Sequence, residues 1–298
     1  LVASWTLSNK KGKPKVWIEP IINRDTQTIT YEIREGGTPY LEETVDRGGG
    51  YCIATNAAIS FDYIRKEGRA QRHGRSLLAV VAQGEGRMYC VGSETDVPDC
   101  GVDVSISLGD IHQNKRDFKT PNYGIEQWEG LFTQRQLVAL TTFSELLPEV
   151  RERVIADAAV NGVIDDGVRL RDGGSGATAY ADAIVTYLAF TINKLADLGN
   201  SLCQWEPIAQ CPRHLFGRQA VPMLMDYAEG NPLGNSSGSF AVFLRGQQKA
   251  LAGKGIPINS GWSEVVQRDA RARVKELPGV VVSTDPPYYD SVPYSDIS

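Results

Sequence analysis

The hydrophobic pattern of this chain changes from one typical of strands to one typical of helices. Up to about residue 105, short runs of alternating or β-branched residues are separated by glycine-rich turns such as Gly48-Gly49-Gly50. From Thr133 onward, apolar residues recur every three or four positions, which predicts helices. We therefore expect a β-rich part followed by a helical part. Strands are predicted over residues 16–18, 28–33, 58–61 and 77–82.

The same change of pattern divides the chain into domains. Residues 1–108 are expected to form a small β-rich insert, residues 109–128 a linker, and residues 129–298 a helical region with a further domain at its end. The first helix is predicted from Thr133 to the residue before Pro148, because a residue that precedes proline disfavours helical backbone. Further helices are predicted over residues 178–198, 217–229 and 238–251.

The pattern that points to chemistry lies near the C-terminal end of the sequence. Residues 280–282 are three valines, which predict a buried strand of a parallel sheet, and ligands bind at the carboxyl ends of such strands. Soon afterwards comes Asp285-Pro286-Pro287-Tyr288, in which the prolines keep the backbone extended and remove two amide donors. A carboxylate and a neighbouring carbonyl can accept both hydrogens of an exocyclic amine, and an aromatic ring can stack on its base.

These four residues resemble a known catalytic motif. Asp285-Pro286-Pro287-Tyr288 is similar to the Asp-Pro-Pro-Tyr motif of S-adenosylmethionine-dependent amino-methyltransferases, in the form that begins with Asp, as in adenine N6 enzymes. The resemblance implies that these residues hold the N6 amine of an adenine while the cofactor donates a methyl group. For the tetrapeptide alone, a proline-rich turn after a strand is the alternative.

Two further elements are similar to cofactor-binding parts of such enzymes. Asp269-Ala270 resembles the end of the strand that precedes the catalytic motif, where the acid approaches the adenine end of the cofactor; an ordinary helix N-cap is the alternative. Phe132-Thr133 resembles the Phe-Thr-Pro-Arg-Gln element beside the methionine end of the cofactor. Gln134 stands where that element has proline, so the helix cap is expected from Thr133 alone.

A wider resemblance covers most of the chain. The segments that carry it, in order, are SWTLSNKKGK (4–13), residues 63–74, LFTQRQLVAL (131–140), AYADA (179–183), FGRQAVPM (216–223) and DYAEGNP (226–232). They are similar to the DUF1156 family, large prokaryotic adenine-specific DNA methylases that contain a Zn-ribbon. The family implies an α+β or α/β chain, in which a ribbon-like insert precedes helices and part of a Rossmann-like methyltransferase domain.

The resemblance also implies that further parts of the same protein flank this sequence. Family members carry a glycine-rich cofactor loop upstream of the part that matches Leu1, and they continue beyond the part that matches residues 294–298. The chain is therefore expected to be an internal piece of a longer protein and to be inactive by itself.

The charge of the chain restricts how it could contact DNA. A formal net charge of −5 argues against a globally basic nucleic-acid binder, because counterion release requires basic residues that face phosphates. Local basic stretches occur at residues 10–15 and 65–75. The second is predicted to contact DNA, with a solvated charged face as the alternative. Its basic residues are Arg65, Lys66, Arg69, Arg72 and Arg75.

The cysteine pattern argues against a metal site. None of the five cysteines forms a Cys-x-x-Cys pair. Cys52 matches the second half of the family's ribbon, but Thr55-Asn56 replaces the expected Cys-Gly. No metal ligands are therefore assigned, and the ribbon is expected to fold without zinc.

The sequence contains no sign of a membrane protein. No apolar run reaches the roughly 18 residues of a membrane span, and the first residues lack the charged region of a signal peptide. The cytoplasm is the expected compartment, with DNA as the expected partner.

Two stretches allow two interpretations each. The glycine-rich residues 168–177 could cradle a phosphate or carboxylate at a helix start, or could simply cap that helix. Tyr227, Glu229 and Asn231 could mark a helix end, or could make a substrate or inter-domain contact.

Together these patterns predict a fragment of a DNA adenine N6 methyltransferase. The alternatives are a non-catalytic nucleic-acid-binding module, or a methyltransferase that acts on RNA or on a protein amide.

Overall fold

A computed structural model of the chain describes residues 1–26, 28–97, 99–114, 116–217, 220–253 and 283–285. The chain divides into two compact units, Leu1–Gln247 and Gln248–Ser298. Of the second unit, the structure describes residues 248–253 and 283–285.

A three-stranded antiparallel sheet opens the first unit. Its middle strand pairs with the third in regular register, from Val16 opposite Glu35 to Asn23 opposite Thr28. One face is buried because Trp5, Leu7 and Ile18 pack together in a hydrophobic cluster. The strands predicted over residues 16–18 and 28–33 are confirmed and are longer than expected. The strands are β1 (Thr6–Ser8), β2 (Val16–Asn23) and β3 (Thr28–Glu35).

Three short antiparallel hairpins follow along the chain. The strand predicted over residues 77–82 is confirmed, with its start shifted to Ala79. The prediction for residues 58–61 is right only for its first half, because Ser60 caps a helix: its hydroxyl accepts a hydrogen bond from the Tyr63 amide at 3.2 Å. The hairpins are β4 (Gly50–Tyr51) with β5 (Ala58–Ile59), β6 (Ala79–Gln83) with β7 (Arg87–Val91), and β8 (Trp205–Glu206) with β9 (Cys211–Pro212). The helix is α1 (Phe61–Arg69).

Four longer helices lie between residues 134 and 251 of the described part of the chain. The predictions for the first, for residues 178–198 and for residues 238–251 are confirmed to within a few residues. Pro148 has a second role that was not predicted, because it lies in the first turn of a new helix, where its missing amide is tolerated. These helices are α2 (Gln134–Glu145), α3 (Leu147–Val160), α4 (Ala177–Leu198) and α5 (Phe240–Leu251).

The helix predicted over residues 217–229 is wrong for the residues described there. Val221 instead makes backbone hydrogen bonds to a distant segment. Its amide donates to the Asp117 carbonyl at 2.8 Å, and its carbonyl accepts from the Lys119 amide at 3.0 Å. Pro222 follows directly and disfavours helical backbone at Val221. The described residues 220–229 therefore lie outside helices, and Val221, Met223 and Leu224 pack in the core.

Several described residues of the range 109–128, which was interpreted from sequence as a linker, belong to the core of the first unit. Ile111 and Phe118 are almost completely buried, and Trp128 meets the Phe118 ring edge-on at 5.9 Å. They pack with Leu131 and Val221 in the same hydrophobic cluster. Two 3-10 turns, Thr120–Tyr123 and Trp128–Leu131, shape this segment.

The described residues thus form a mixed α and β structure of small antiparallel sheets and helices. The valine run at residues 280–282 lies outside them. Within the described ranges, none of the helices combines the length and apolar composition of a membrane-spanning segment.

Candidate functional site

The catalytic motif predicted from sequence lies only partly within the described residues. Asp285 is described, together with Ser283 and Thr284, and all three are exposed and outside helices and strands. Pro286, Pro287 and Tyr288 lie outside the described residues.

Of the two predicted cofactor-binding elements, one lies outside the described residues and the other lies within them. Asp269 and Ala270 also lie outside the described residues, so their predicted role remains a prediction. Phe132 and Thr133 are described and precede α2 directly. Phe132 packs against the main hydrophobic cluster, and Thr133 is only 3% exposed.

Thr133 does not cap α2 alone, as the sequence analysis expected. The Gln136 amide donates to the Thr133 hydroxyl at 3.3 Å, and the Thr133 amide donates to the Gln136 side-chain oxygen at 2.8 Å. This is a capping box, which satisfies two helix-end amides at once. The Thr-x-x-Gln spacing could have predicted it.

Glu229 contacts the beginning of α2 and does not end a helix. The Arg135 guanidinium donates two parallel hydrogen bonds to the Glu229 carboxylate, both at 2.9 Å. The Thr133 hydroxyl lies 3.4 Å from the same carboxylate. The side chains of Arg135 and Glu229 are 30% and 26% exposed, so water screens the pair only partly. Hydrogen bonding to Glu229 raises the pKa of Arg135, which keeps the pair charged.

Tyr227 lies two residues before Glu229 and contacts the predicted nucleic-acid stretch. The Arg75 guanidinium lies over its ring, 5.9 Å from the centroid. Burial raises the pKa of the Tyr227 phenol, so the phenol stays protonated at neutral pH. Residues 227–229 therefore link the loop after α1 to the start of α2.

An open cleft of about 870 Å³ lies beside this link. Its walls come from the end of α1 and the loop after it, from residues 123–130, and from residues 223–227. Arg72 and Arg75 line it. Four acidic side chains line it as well, so the cleft is not a uniformly basic channel. They are Glu67, Asp110, Glu126 and Glu129.

The five basic residues predicted to contact DNA do not share one surface. Arg65 packs over the rings of Phe61 and Tyr123, 5.5 and 5.7 Å from their centroids, which favours a structural role. Arg72 lines the cleft, but both of its hydrogen bonds to Glu67, at 2.7 Å, neutralise it locally.

Arg75 also lines the cleft, over Tyr227, whereas the other two basic residues do not. Lys66 and Arg69 are exposed in the last turn of α1 and are absent from the cleft wall. The structure therefore brings Arg72 and Arg75 together at the cleft and leaves Lys66 and Arg69 on a separate exposed surface.

A close approach of two glycines positions the cleft wall, and the sequence analysis missed it. A Cβ at Gly68 would lie 2.4 Å from the Tyr123 carbonyl oxygen. Gly124 has a φ of +83°, and a Cβ there would lie 2.6 Å from the Gly68 carbonyl oxygen. Helix α1 can approach residues 123–124 only because both positions lack side chains.

Asp226 is a second residue that the sequence analysis missed as a candidate. Its carboxylate accepts a hydrogen bond from the Ala3 amide at 3.1 Å, while its other oxygen is buried without a hydrogen-bond partner. Burial raises the pKa of this carboxyl group. Buried acids of this kind are enriched at functional sites. Asp226 directly follows the apolar run Met223-Leu224-Met225, and an acid beside such a run is the sequence signal that could have indicated burial.

The glycine-rich residues 168–177 behave as a helix cap. The Thr178 amide at the start of α4 donates to Asp165 at 2.9 Å, and the Ser175 amide donates to Asp166 at 3.0 Å. Because carboxylates of the same chain already occupy these donors, the geometry favours the capping interpretation over a phosphate cradle.

The β4–β5 hairpin carries the position that matched half of a zinc ribbon. The Cys52 amide donates to the Ala57 carbonyl at 2.9 Å, and Asn56 has a φ of +57°, a value that glycine adopts more readily. Hydrogen bonding from Thr55 lowers the pKa of the Cys52 thiol. Among the described residues, no cluster of three or more potential metal ligands occurs.

Comparison with protein-family models, with curated proteins and with solved structures finds no match to this chain. The candidate site therefore has to be interpreted from its own residues. Its described part is a cleft, a loop that carries Arg72 and Arg75, and a link through Tyr227 and Glu229 to the N-terminus of α2.

Proposed function

We propose that this chain is part of a DNA adenine N6 methyltransferase that uses S-adenosylmethionine. The observation that carries the proposal is Asp285-Pro286-Pro287-Tyr288, two residues after an apolar run. Asp285 is exposed, as a residue that receives a ligand from solvent must be.

In the proposed mechanism, the protein acts on an adenine that has left the base stack. The Asp285 carboxylate and the Pro286 carbonyl accept the two N6 hydrogens, which makes the nitrogen lone pair available for attack. The Tyr288 ring stacks on the base and contributes about 1–3 kcal/mol to holding it. When bound, S-adenosylmethionine supplies the methyl group.

The residues before α2 are assigned to the cofactor by resemblance alone. Phe132 and Thr133 lie directly at the N-terminus of the helix, where a capping box and the Glu229 carboxylate already satisfy part of its positive end. We assign these two residues to the methionine end of the cofactor and Asp269 with Ala270 to its adenine end. The Rossmann-like part of the fold is proposed for the residues beyond 253.

The contacts proposed for DNA are local. Arg75 faces the cleft, while Lys66 and Arg69 provide exposed charges on α1. Because acids line the same cleft, we expect few phosphate contacts and a shallow dependence of DNA affinity on salt. The reaction is expected in the cytoplasm.

A methyl-transfer assay tests this proposal. The full protein that contains this chain is incubated with methyl-labelled S-adenosylmethionine and with DNA, RNA or protein in parallel. We expect label in DNA, and at least a 100-fold loss in the Asp285→Ala variant, since the amine then lacks its acceptor. Asp25→Asn, at an exposed position of the β2–β3 turn, is the matched control and should retain activity.

Other outcomes identify the alternatives. Label in RNA or in protein would identify a methyltransferase that acts on that substrate instead of DNA. DNA binding without label in any substrate would favour a non-catalytic nucleic-acid-binding module.

A further inference from the structure

Four side chains from three distant parts of the sequence form one connected cluster. Arg75 lies over the Tyr227 ring at 5.9 Å, and Arg135 holds Glu229 through two hydrogen bonds of 2.9 Å. Tyr227 and Glu229 are separated by one residue. The two pairs are therefore joined through the backbone of residues 227–229, between the cleft and the first turn of α2.

Glu229 stabilises an arrangement that would otherwise be unfavourable. Arg135 lies in the first turn of α2, where the helix dipole is positive and a cation is disfavoured. The Glu229 carboxylate offsets this charge by pairing with it. The same carboxylate accepts from the Thr133 hydroxyl, so the Thr133 side chain is held by Glu229 on one side and by the Gln136 amide on the other.

The residue between Tyr227 and Glu229 is fixed to the core. The Ala228 amide donates to the carbonyl of Cys203 at 2.7 Å, and Cys203 is completely buried. Two backbone steps span at most about 7 Å, so Tyr227 and Glu229 lie on a short segment that is anchored at its centre. A rotation of the segment about this fixed point therefore moves Tyr227 and Glu229 together, whereas a translation of the whole segment is resisted.

We propose that Glu229 is a positioning residue that couples the Arg75 side of the cleft to Thr133 at the start of α2. This inference rests on the proposed function, in which Arg75 meets DNA and Thr133 lies beside the cofactor. A phosphate that binds Arg75 draws the guanidinium away from the Tyr227 ring. The resulting shift reaches Thr133 through Glu229 and Arg135, so that DNA and cofactor each change the affinity for the other by the same factor.

The first test measures this factor in the full protein. The Kd of S-adenosylmethionine is measured with and without a saturating DNA duplex. We expect the two values to differ at least fivefold in the unaltered protein, which is the low end of typical couplings between sites, and less than twofold in Glu229→Gln. Glu152→Gln removes a carboxylate that is 74% exposed on α3, and it should keep the original factor.

The second test needs neither DNA nor cofactor. Hydrogen exchange at the Gln136 and Leu137 amides reports on the first turn of α2. We expect Arg75→Ala to accelerate this exchange at least threefold, although Arg75 makes no hydrogen bond to α2 among the described contacts. Arg75→Ala added to Glu229→Gln should have no further effect. Arg72→Ala, in the same loop, is the control and should leave α2 unchanged.

These measurements separate the inference from the proposed function. The coupling would be wrong, and the proposed function unaffected, if both ligands bind but DNA leaves the Kd of S-adenosylmethionine unchanged. The same holds if the Glu229→Gln variant keeps the original ratio of Kd values. A protein that binds no S-adenosylmethionine would overturn the proposed function. In that case, unchanged exchange of α2 in Arg75→Ala would overturn the coupling as well.

Discussion

Asp182 is the carboxylate with the most hydrogen-bond donors in the α3–α4 region. Arg151 donates to it at 2.8 Å, Arg169 at 3.2 Å and the Leu170 amide at 3.2 Å. The residue is 7% exposed, and its partners hold its pKa far below the ordinary value of 3.8. It ties α3 and the glycine-rich stretch to α4, and so it fixes the helical half of the unit.

We predict that Asp182→Asn lowers the free energy of unfolding by about 1–2 kcal/mol at neutral pH, since two guanidinium groups lose a charged acceptor that water screens in part. The folded pKa is lower than the unfolded one, so this stabilisation is present above pH 3.8 and is lost as the pH falls further. Urea unfolding at pH 7 and pH 3 measures both effects.

The control is Asp172→Asn, whose side chain is 58% exposed and lies 3.6 Å from Arg171. It should change the free energy of unfolding by less than about 0.5 kcal/mol. An Asp182→Asn deficit that is equally large at pH 3 would contradict the electrostatic explanation.

At the scale of elements, the contact between α1 and residues 123–124 decides the shape of the cleft. We predict that Gly68→Ala lowers the free energy of unfolding by roughly 1–3 kcal/mol, because its methyl group would overlap the backbone of Tyr123. Thermal unfolding measures the loss. Gly74→Ala is the matched control, since a Cβ there meets nothing within 4 Å. An equal effect of the two substitutions would show that the close approach is unimportant.

The sequence predicted the elements whose patterns are local. Residues 178–198 have helical periodicity, and α4 occupies almost the same span. The mistakes have a different physical origin. Residues 217–229 have helix-forming side chains, but the backbone of Val221 pairs with Asp117 and Lys119, which are about a hundred positions away in the sequence. Residues 109–128 have a linker-like composition, yet Ile111 and Phe118 are core residues, and that depends on long-range packing.

The site could be predicted from sequence only where its residues occur together in short motifs. The basic stretch at residues 65–75 was found from sequence, but the sequence did not show which of its side chains face the cleft. Arg65 packs instead over the rings of Phe61 and Tyr123, which are far apart in the sequence. The pair of Arg135 and Glu229 was missed for the same reason, because 94 positions separate them.

At the scale of the whole molecule, the proposed function depends on the unit Leu1–Gln247 and on a motif that lies mostly outside the described residues. In the proposed function, the cleft and the loop with Arg75 contact DNA, and Glu229 links them to the start of α2. Asp285 is proposed as the acceptor that the chemistry requires. The central claim is that this acceptor activates the N6 amine of adenine in DNA.

The most direct test is mass spectrometry of the nucleosides from DNA that has been treated with the full protein and S-adenosylmethionine. The account predicts N6-methyladenine that disappears in the Asp285→Ala variant while DNA binding is retained. A methyl group on cytosine, or N6-methyladenine at an undiminished level in the Asp285→Ala variant, would contradict it.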